Sequence, residues 1–159
     1  MHLIRRMTIT LLATLVAVVG LVAATGGASA AKTFPPDFKV TTDRPTLADL
    51  NDIVEFLVET PASDQAKAAN VEGGMNAVIV PKTVYSLGLF RAPRGWNEVT
   101  GPLVQKGNSA TATLNSGSAG RPTIRMTIEF KKLDGNWKLA AGSLCQGVKT
   151  VGLNIYCNA

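Results

Sequence analysis

Beyond Gly95 the apolar residues of this chain stop recurring every three or four positions and begin to alternate with polar ones. A stripe repeating at 3.6 residues builds a helix with one buried side, and strict alternation builds a strand with one buried face. The change comes once, at the connector Arg91-Ala92-Pro93-Arg94-Gly95, so helices precede strands instead of alternating with them. That order predicts an α+β domain with its helices packed on one face of an antiparallel sheet.

On the helical side, Leu47, Leu50, Ile53, Val54, Leu57 and Val58 share one face over residues 47–60, with Thr46 placed to cap and Asp49 in the first turn. Phe56 falls on the opposite face, and the expectation is that a neighbouring segment or the preceding proline-bearing arm covers it. Pro61 closes this helix and Ser63 or Asp64 opens a second, carried by Ala66, Ala68 and Ala69 until Gly73-Gly74. Residues 75–90 contain Pro81 and Gly88 and are read as a short helix to about Val80, then a second helical turn from Lys82. The strands expected are 96–105, 109–115, 123–133 and 136–141, with Lys106-Gly107-Asn108 and Asp134-Gly135 as tight turns. In the third, Ile124, Met126, Ile128 and Phe130 face one way and Arg125, Thr127 and Glu129 the other. Four antiparallel strands in a meander follow, and the tail from Leu144 is expected to form a short helical turn.

The amino terminus has another purpose. Arg5-Arg6 precedes an apolar run over 7–24, then Gly26-Gly27 and Ala28-Ser29-Ala30, the layout of an export signal cleaved after Ala30. The rival reading is an uncleaved anchor, because the run approaches the roughly 20 residues a bilayer span needs. The expected division is a signal over 1–30, an extended proline-containing linker over 31–44 and one domain over 45–159. No stable membrane insertion is expected once the signal is removed. Whether the general or the twin-arginine route is used stays open.

Residues 31–159 keep all eleven acids and lose only Arg5 and Arg6 from the sixteen bases, a formal +3. Their cations are scattered, which argues against a nucleic-acid partner. The sole histidine is His2, inside the signal, so catalysis through a histidine triad and most zinc or haem sites are excluded from the exported domain. No metal or other cofactor is expected. The two cysteines, Cys145 and Cys157, read first as a disulfide closing a short loop, worth about 3 kcal/mol on the chain-entropy argument.

Several short motifs carry a family likeness: Val-Glu-Gly-Gly at 71–74, Gly95-Trp96 at the first strand, Ala-Thr-Ala-Thr-Leu at 110–114 and Gly-Asn-Trp-Lys-Leu at 135–139. Together with the arm and the amphipathic helix they resemble the mycobacterial low molecular weight secreted antigen family, over nearly all of the exported chain. The resemblance implies an actinobacterial protein of the envelope or culture medium with no established enzymatic activity. It also implies a cystatin-like or nuclear-transport-factor-like cone. It brings no catalytic residues and does not account for Cys145 and Cys157.

Three functional classes remain. In the first, the domain acts through its surface on an envelope component or protein, with Arg91, Arg94 and Trp96 as the candidate patch. The plainer reading, which the residues favour, turns Phe90 and Trp96 inward and leaves the arginines solvated. In the second, a cavity between helices and sheet takes a small apolar ligand, lined by Met75, Val78, Val80, Tyr85, Leu87 and Met126. In the third, an enzyme, a carboxylate would have to point into that cavity with a raised pKa, and no acid does so on this reading.

Overall fold

The computed structural model describes residues 32–157, so the export signal and its cleavage point lie outside the described residues. Among the described residues, four α-helices and a four-stranded antiparallel sheet make up an α+β fold. Helix α1 spans Leu47–Glu59 and opens with a reciprocal capping box. The Thr46 hydroxyl accepts from the Asp49 amide at 3.1 Å, and the Asp49 carboxylate accepts from the Thr46 amide at 2.8 Å. Its buried side carries Leu50, Ile53, Val54 and Leu57.

Helix α2 covers Asp64–Ala68 and is capped by Ser63. A 3₁₀ turn at Gly74–Asn76 leads to α3, Ile79–Leu87, which ends on Gly88 in the left-handed region. Pro81 was expected to divide this stretch and does not. It sits in the first turn of α3, where backbone N–H groups have no intrahelical partner, so its missing donor costs nothing.

Strands β1 (Gly95–Lys106), β2 (Ser109–Ser118), β3 (Ile124–Leu133) and β4 (Asn136–Leu139) follow one another in the order β1-β2-β3-β4. The hairpin register pairs Trp96 with Gly117 and Thr113 with both Thr100 and Thr127, and slips between Thr100 and Val104, around Gly101-Pro102. Asp134 and Gly135, at φ 53° and 74°, form the turn into β4. Met126, Ile128 and Phe130 are buried against the helices together with Ala110 and Ala112, while the opposite face carries threonines, Asn115, Arg125 and Glu129.

Three features depart from expectation. Residues 33–44 form no helix or strand and turn at Pro35–Phe38, where the Phe38 amide donates to the Pro35 carbonyl at 3.1 Å, yet they dock on the domain. Val40 is buried, its carbonyl accepts from the Trp137 amide at 2.8 Å, and the Thr42 carbonyl accepts from the Trp137 indole at 2.9 Å. Phe34 and Phe38 close over Phe56, with ring centroids 5.6 and 5.0 Å from it, so Phe56 is covered by the arm. Secondly, β4 is short and its outer edge is occupied: Leu139 donates to the Asn70 carbonyl and accepts from the Glu72 amide, both at 2.9 Å. Thirdly, the tail forms a full helix, α4 (Ala141–Thr150), beside the part of β3 that β4 leaves unpaired. The Ser143 hydroxyl there accepts from the Glu129 amide at 2.7 Å.

Candidate interaction cleft

Between α1, α3, α4 and the inner face of the sheet lies a hollow of about 80 Å³, whose walls include Val54, Val84, Phe90, Leu114, Met126, Ile128, Val148, Val151 and Leu153. That is room for two or three waters at about 30 Å³ each, well below the roughly 300–1,000 Å³ of typical ligand pockets. Its polar side chains are Asn97, Ser116 and Ser143, and these are engaged. Ser116 donates to the Asn97 amide oxygen at 2.8 Å, and the Asn97 amide nitrogen donates to the Phe90 carbonyl at 2.5 Å and to the Glu59 carboxylate at 3.2 Å. Burial raises the Glu59 pKa, with the Asn97 hydrogen bond acting the other way. Glu59 stands behind Asn97 and does not line the hollow.

Of the residues expected around a cavity, Met126 and Val80 line this one; Met75, Val78, Tyr85 and Leu87 do not. The 3₁₀ turn carries Met75 outward, and Leu87 ends α3 facing water. Tyr85 takes two cations on its ring, Lys67 Nζ at 4.7 Å and the Arg91 guanidinium at 4.5 Å from the centroid. Lys67 is nearly fully buried and donates to the Leu57 carbonyl at 2.6 Å, satisfying one of the free acceptors at the end of α1. Burial brings its pKa down to about 8, with Arg91 adding to the effect and Asp64 opposing it.

Glu72 takes a comparable part at α4, whose N-cap Ala140 has no side chain to offer. Its carboxylate accepts from the Ala141 amide and from Lys131 Nζ, each at 2.9 Å, and the Lys131 hydrogen bond followed by that from Ala141 lowers its pKa. The disulfide Cys145–Cys157 joins α4 to the segment that follows it, with Cys145 buried.

The patch expected at Arg91, Arg94 and Trp96 divides. Arg91 folds back onto Tyr85 and leaves it. Phe90 turns inward, as the plainer expectation has it, whereas Trp96 is 46% exposed and departs from it. Strand parity explains this: Val99 points to the core, so Trp96, three positions earlier, points away. The indole rests on Gly117, where an added Cβ would fall inside the ring system. Gly95 is similarly crowded, because a Cβ there would strike the Leu89 and Gly117 carbonyls. These close approaches bring the connector against the 117–123 loop, and the Ala119 amide donates to the Arg94 carbonyl at 2.7 Å.

The result is a surface cleft of about 240 Å³ lined by Arg94, Trp96, Ser118, Arg121 and Thr123 with the two glycines and Ala119. Arg121 donates to the Val151 carbonyl at 3.1 Å, which ties one arm of its guanidinium to the end of α4. Sequence reasoning passed over Arg121 as a loop residue, and only the hairpin register brings it to Trp96. A broader cleft of about 530 Å³, lined by Gly73, Asn76, Ile79, Ile155 and Tyr156, has no charged side chain.

No curated protein matches the chain. The family model described as "Low molecular weight antigen MTB12, C-terminal domain" matches residues 43–155, from the end of the docked arm through α4 and into the tail. With well over half of its length matched, the chain belongs to the MTB12 low molecular weight antigen family.

Proposed function

We propose that this member of the antigen family is exported, is not an enzyme, and works through its surface on a component of the cell envelope. The observation that carries the reading is Trp96, a large aromatic side chain held outward on Gly117 in a cleft that Arg94 and Arg121 also line. Tryptophan and arginine are the residue types most enriched where binding energy concentrates. The rest of the reading is supported by the export-signal pattern of residues 1–30 and by the aliphatic walls of the hollow, which put no carboxylate or amine where a reacting group could sit.

Two measurements test it. The protein is expressed from its full sequence in an actinobacterial host, and the mature form is weighed. Recovery outside the cytoplasm with a chain beginning at Ala31 is the expected result, and retention of the intact chain in the cytoplasm would overturn the export reading. The purified mature protein is then sedimented with isolated cell walls, where it is expected in the pellet and its full recovery in the supernatant would count against a wall partner.

The hollow favours a second reading, a module for small apolar ligands, which needs α4 to shift because about 80 Å³ is too little as it stands. Native mass spectrometry of protein from its own host would report retained apolar mass if that reading holds.

A further inference from the structure

We propose that the cleft between the 91–95 connector and the 117–123 loop binds an acidic saccharide, with a sugar ring stacked on Trp96 and its carboxylate or phosphate held by Arg94 and Arg121. The proposal rests on the surface reading above and names its partner.

Three observations carry it. The first is the platform. Gly117 covers one face of the indole and fixes its plane, leaving the other side of a half-exposed ring at the cleft. The π face of an aromatic ring carries partial negative charge, which suits the polarised C–H groups along one side of a pyranose. The second is charge. Arg94 and Arg121 line the cleft and no carboxylate does, so its unbalanced charge is positive. Of the five N–H donors of Arg121, one is used on Val151, which leaves others to meet an acid. The third is the neighbouring row on the same sheet face, where register sets Glu98 beside Asn115 and Asn115 beside Arg125. In that row Glu98 accepts, Arg125 donates and Asn115 carries both functions, and sugar hydroxyls need partners of both kinds. The space beside Trp96, about 240 Å³, is an open cleft, not a buried pocket.

A single-stranded nucleic acid also stacks on aromatic rings, but it needs a track of cations along its backbone. Here the cleft lining supplies two cations, Arg94 and Arg121, too short a track for a run of phosphates.

Trp96 reports on its own site. Trp137 is fully buried, so its signal serves as an internal control for folding. The mature protein, residues 31–159, is titrated with a glucuronate-containing hexasaccharide, a hexose phosphate, a neutral glucose hexasaccharide, inorganic phosphate and oligothymidylate. The Trp96 indole N–H resonance and intrinsic fluorescence are followed. Saturable shifts at Trp96 are expected with one or both acidic sugars, at least tenfold tighter than with the neutral sugar or inorganic phosphate. Glucuronate or phosphate leading identifies which acid the arginines select. Arg121→Gln, read at Trp96, and Trp96→Ala, read by titration calorimetry, should each weaken that binding at least fivefold without moving the Trp137 resonance.

Equal affinity for inorganic phosphate, tighter binding of oligothymidylate, or no Trp96 response to either acidic sugar would overturn the proposal. The wall-sedimentation assay separates the two levels. If Trp96→Ala still pellets with walls as the parent protein does, the saccharide cleft fails and the surface reading stands. If the parent does not pellet, the surface reading fails, and the sugar titration alone decides the cleft.

Discussion

Replacing Phe56 by alanine measures how firmly the arm is part of the fold. Phe56 is 1% exposed although it lies on the side of α1 facing away from the sheet, because Phe34 and Phe38 cover it. Truncating a buried aromatic ring to alanine costs about 3–5 kcal/mol when the site cannot collapse. Here two of the neighbouring rings belong to an extended segment that can settle into the gap, so the lower part of that range applies, about 3 kcal/mol. For a folded unit of about 127 residues, an unfolding entropy near 2.1 cal/mol/K per residue gives about 0.27 kcal/mol per degree, and hence a fall in Tm of about 11 °C. Thermal unfolding of residues 31–159 followed by circular dichroism, with Phe56→Leu as a milder companion, provides the comparison. A loss below about 1 kcal/mol for Phe56→Ala would refute the docked arm and restore the linker reading. Deleting residues 33–44 should cost more, because Trp137 then loses both carbonyl acceptors and Val40 no longer covers the core.

Other expectations follow from single side chains. Because burial brings the Lys67 pKa down to about 8, the folded state gives up that proton before the unfolded state does; stability should rise between about pH 8 and 10.5. Discounted for screening, the rise is about 2 kcal/mol, and it should be absent from the stability–pH curve of Lys67→Met measured by urea unfolding. Glu72→Ala removes the acceptor at the start of α4 and should cost about 1 kcal/mol at pH 7. The Glu72 pKa is lowered, so its contribution is present above the ordinary carboxylate range and is lost as pH falls through the lowered value; the gap between parent and variant should close in acid. An added Cβ at Gly147 meets nothing within 4 Å, so Gly147→Ala should stabilise by about 0.5–1 kcal/mol, seen as a Tm rise of about 2–4 °C.

Much of the architecture was legible because local and long-range signals agree. The Thr46 and Asp49 pair marks the start of α1, the alternation from Ile124 to Phe130 sets the face of β3, and Asp134-Gly135 accepts the positive φ angles its turn demands. The arm was misread because Phe34, Phe38 and Val40 are spaced without a helical or strand period, and their partners Phe56, Asn136 and Trp137 are distant in sequence. Lys67 is a residue type seldom buried, so nothing local announces that it closes the end of α1. Gly142 and Gly147 weaken the helical pattern of α4, and its cap arrives from Glu72, far upstream. At the cleft, the outward turn of Trp96 was within reach, since counting back from a buried Val99 gives it. The approach of Arg121 was not, because it depends on the hairpin register.

The treatment of the two sheet edges has a consequence for how this protein behaves when many copies share a small volume. At β4 the outer amides of Trp137 and Leu139 and the Leu139 carbonyl are already taken by Val40, Asn70 and Glu72, and α4 lies beside the remainder of β3. At β1 the Val99 amide donates to the Asn51 side chain at 2.8 Å, and Pro102 has no amide to give where the register slips. Growth of a sheet from one molecule into the next requires an uninterrupted row of unsatisfied backbone groups. With both margins occupied or broken, concentration alone gives a second copy little to zip onto, and a crowded population of these molecules is held apart from cross-β association by its own backbone.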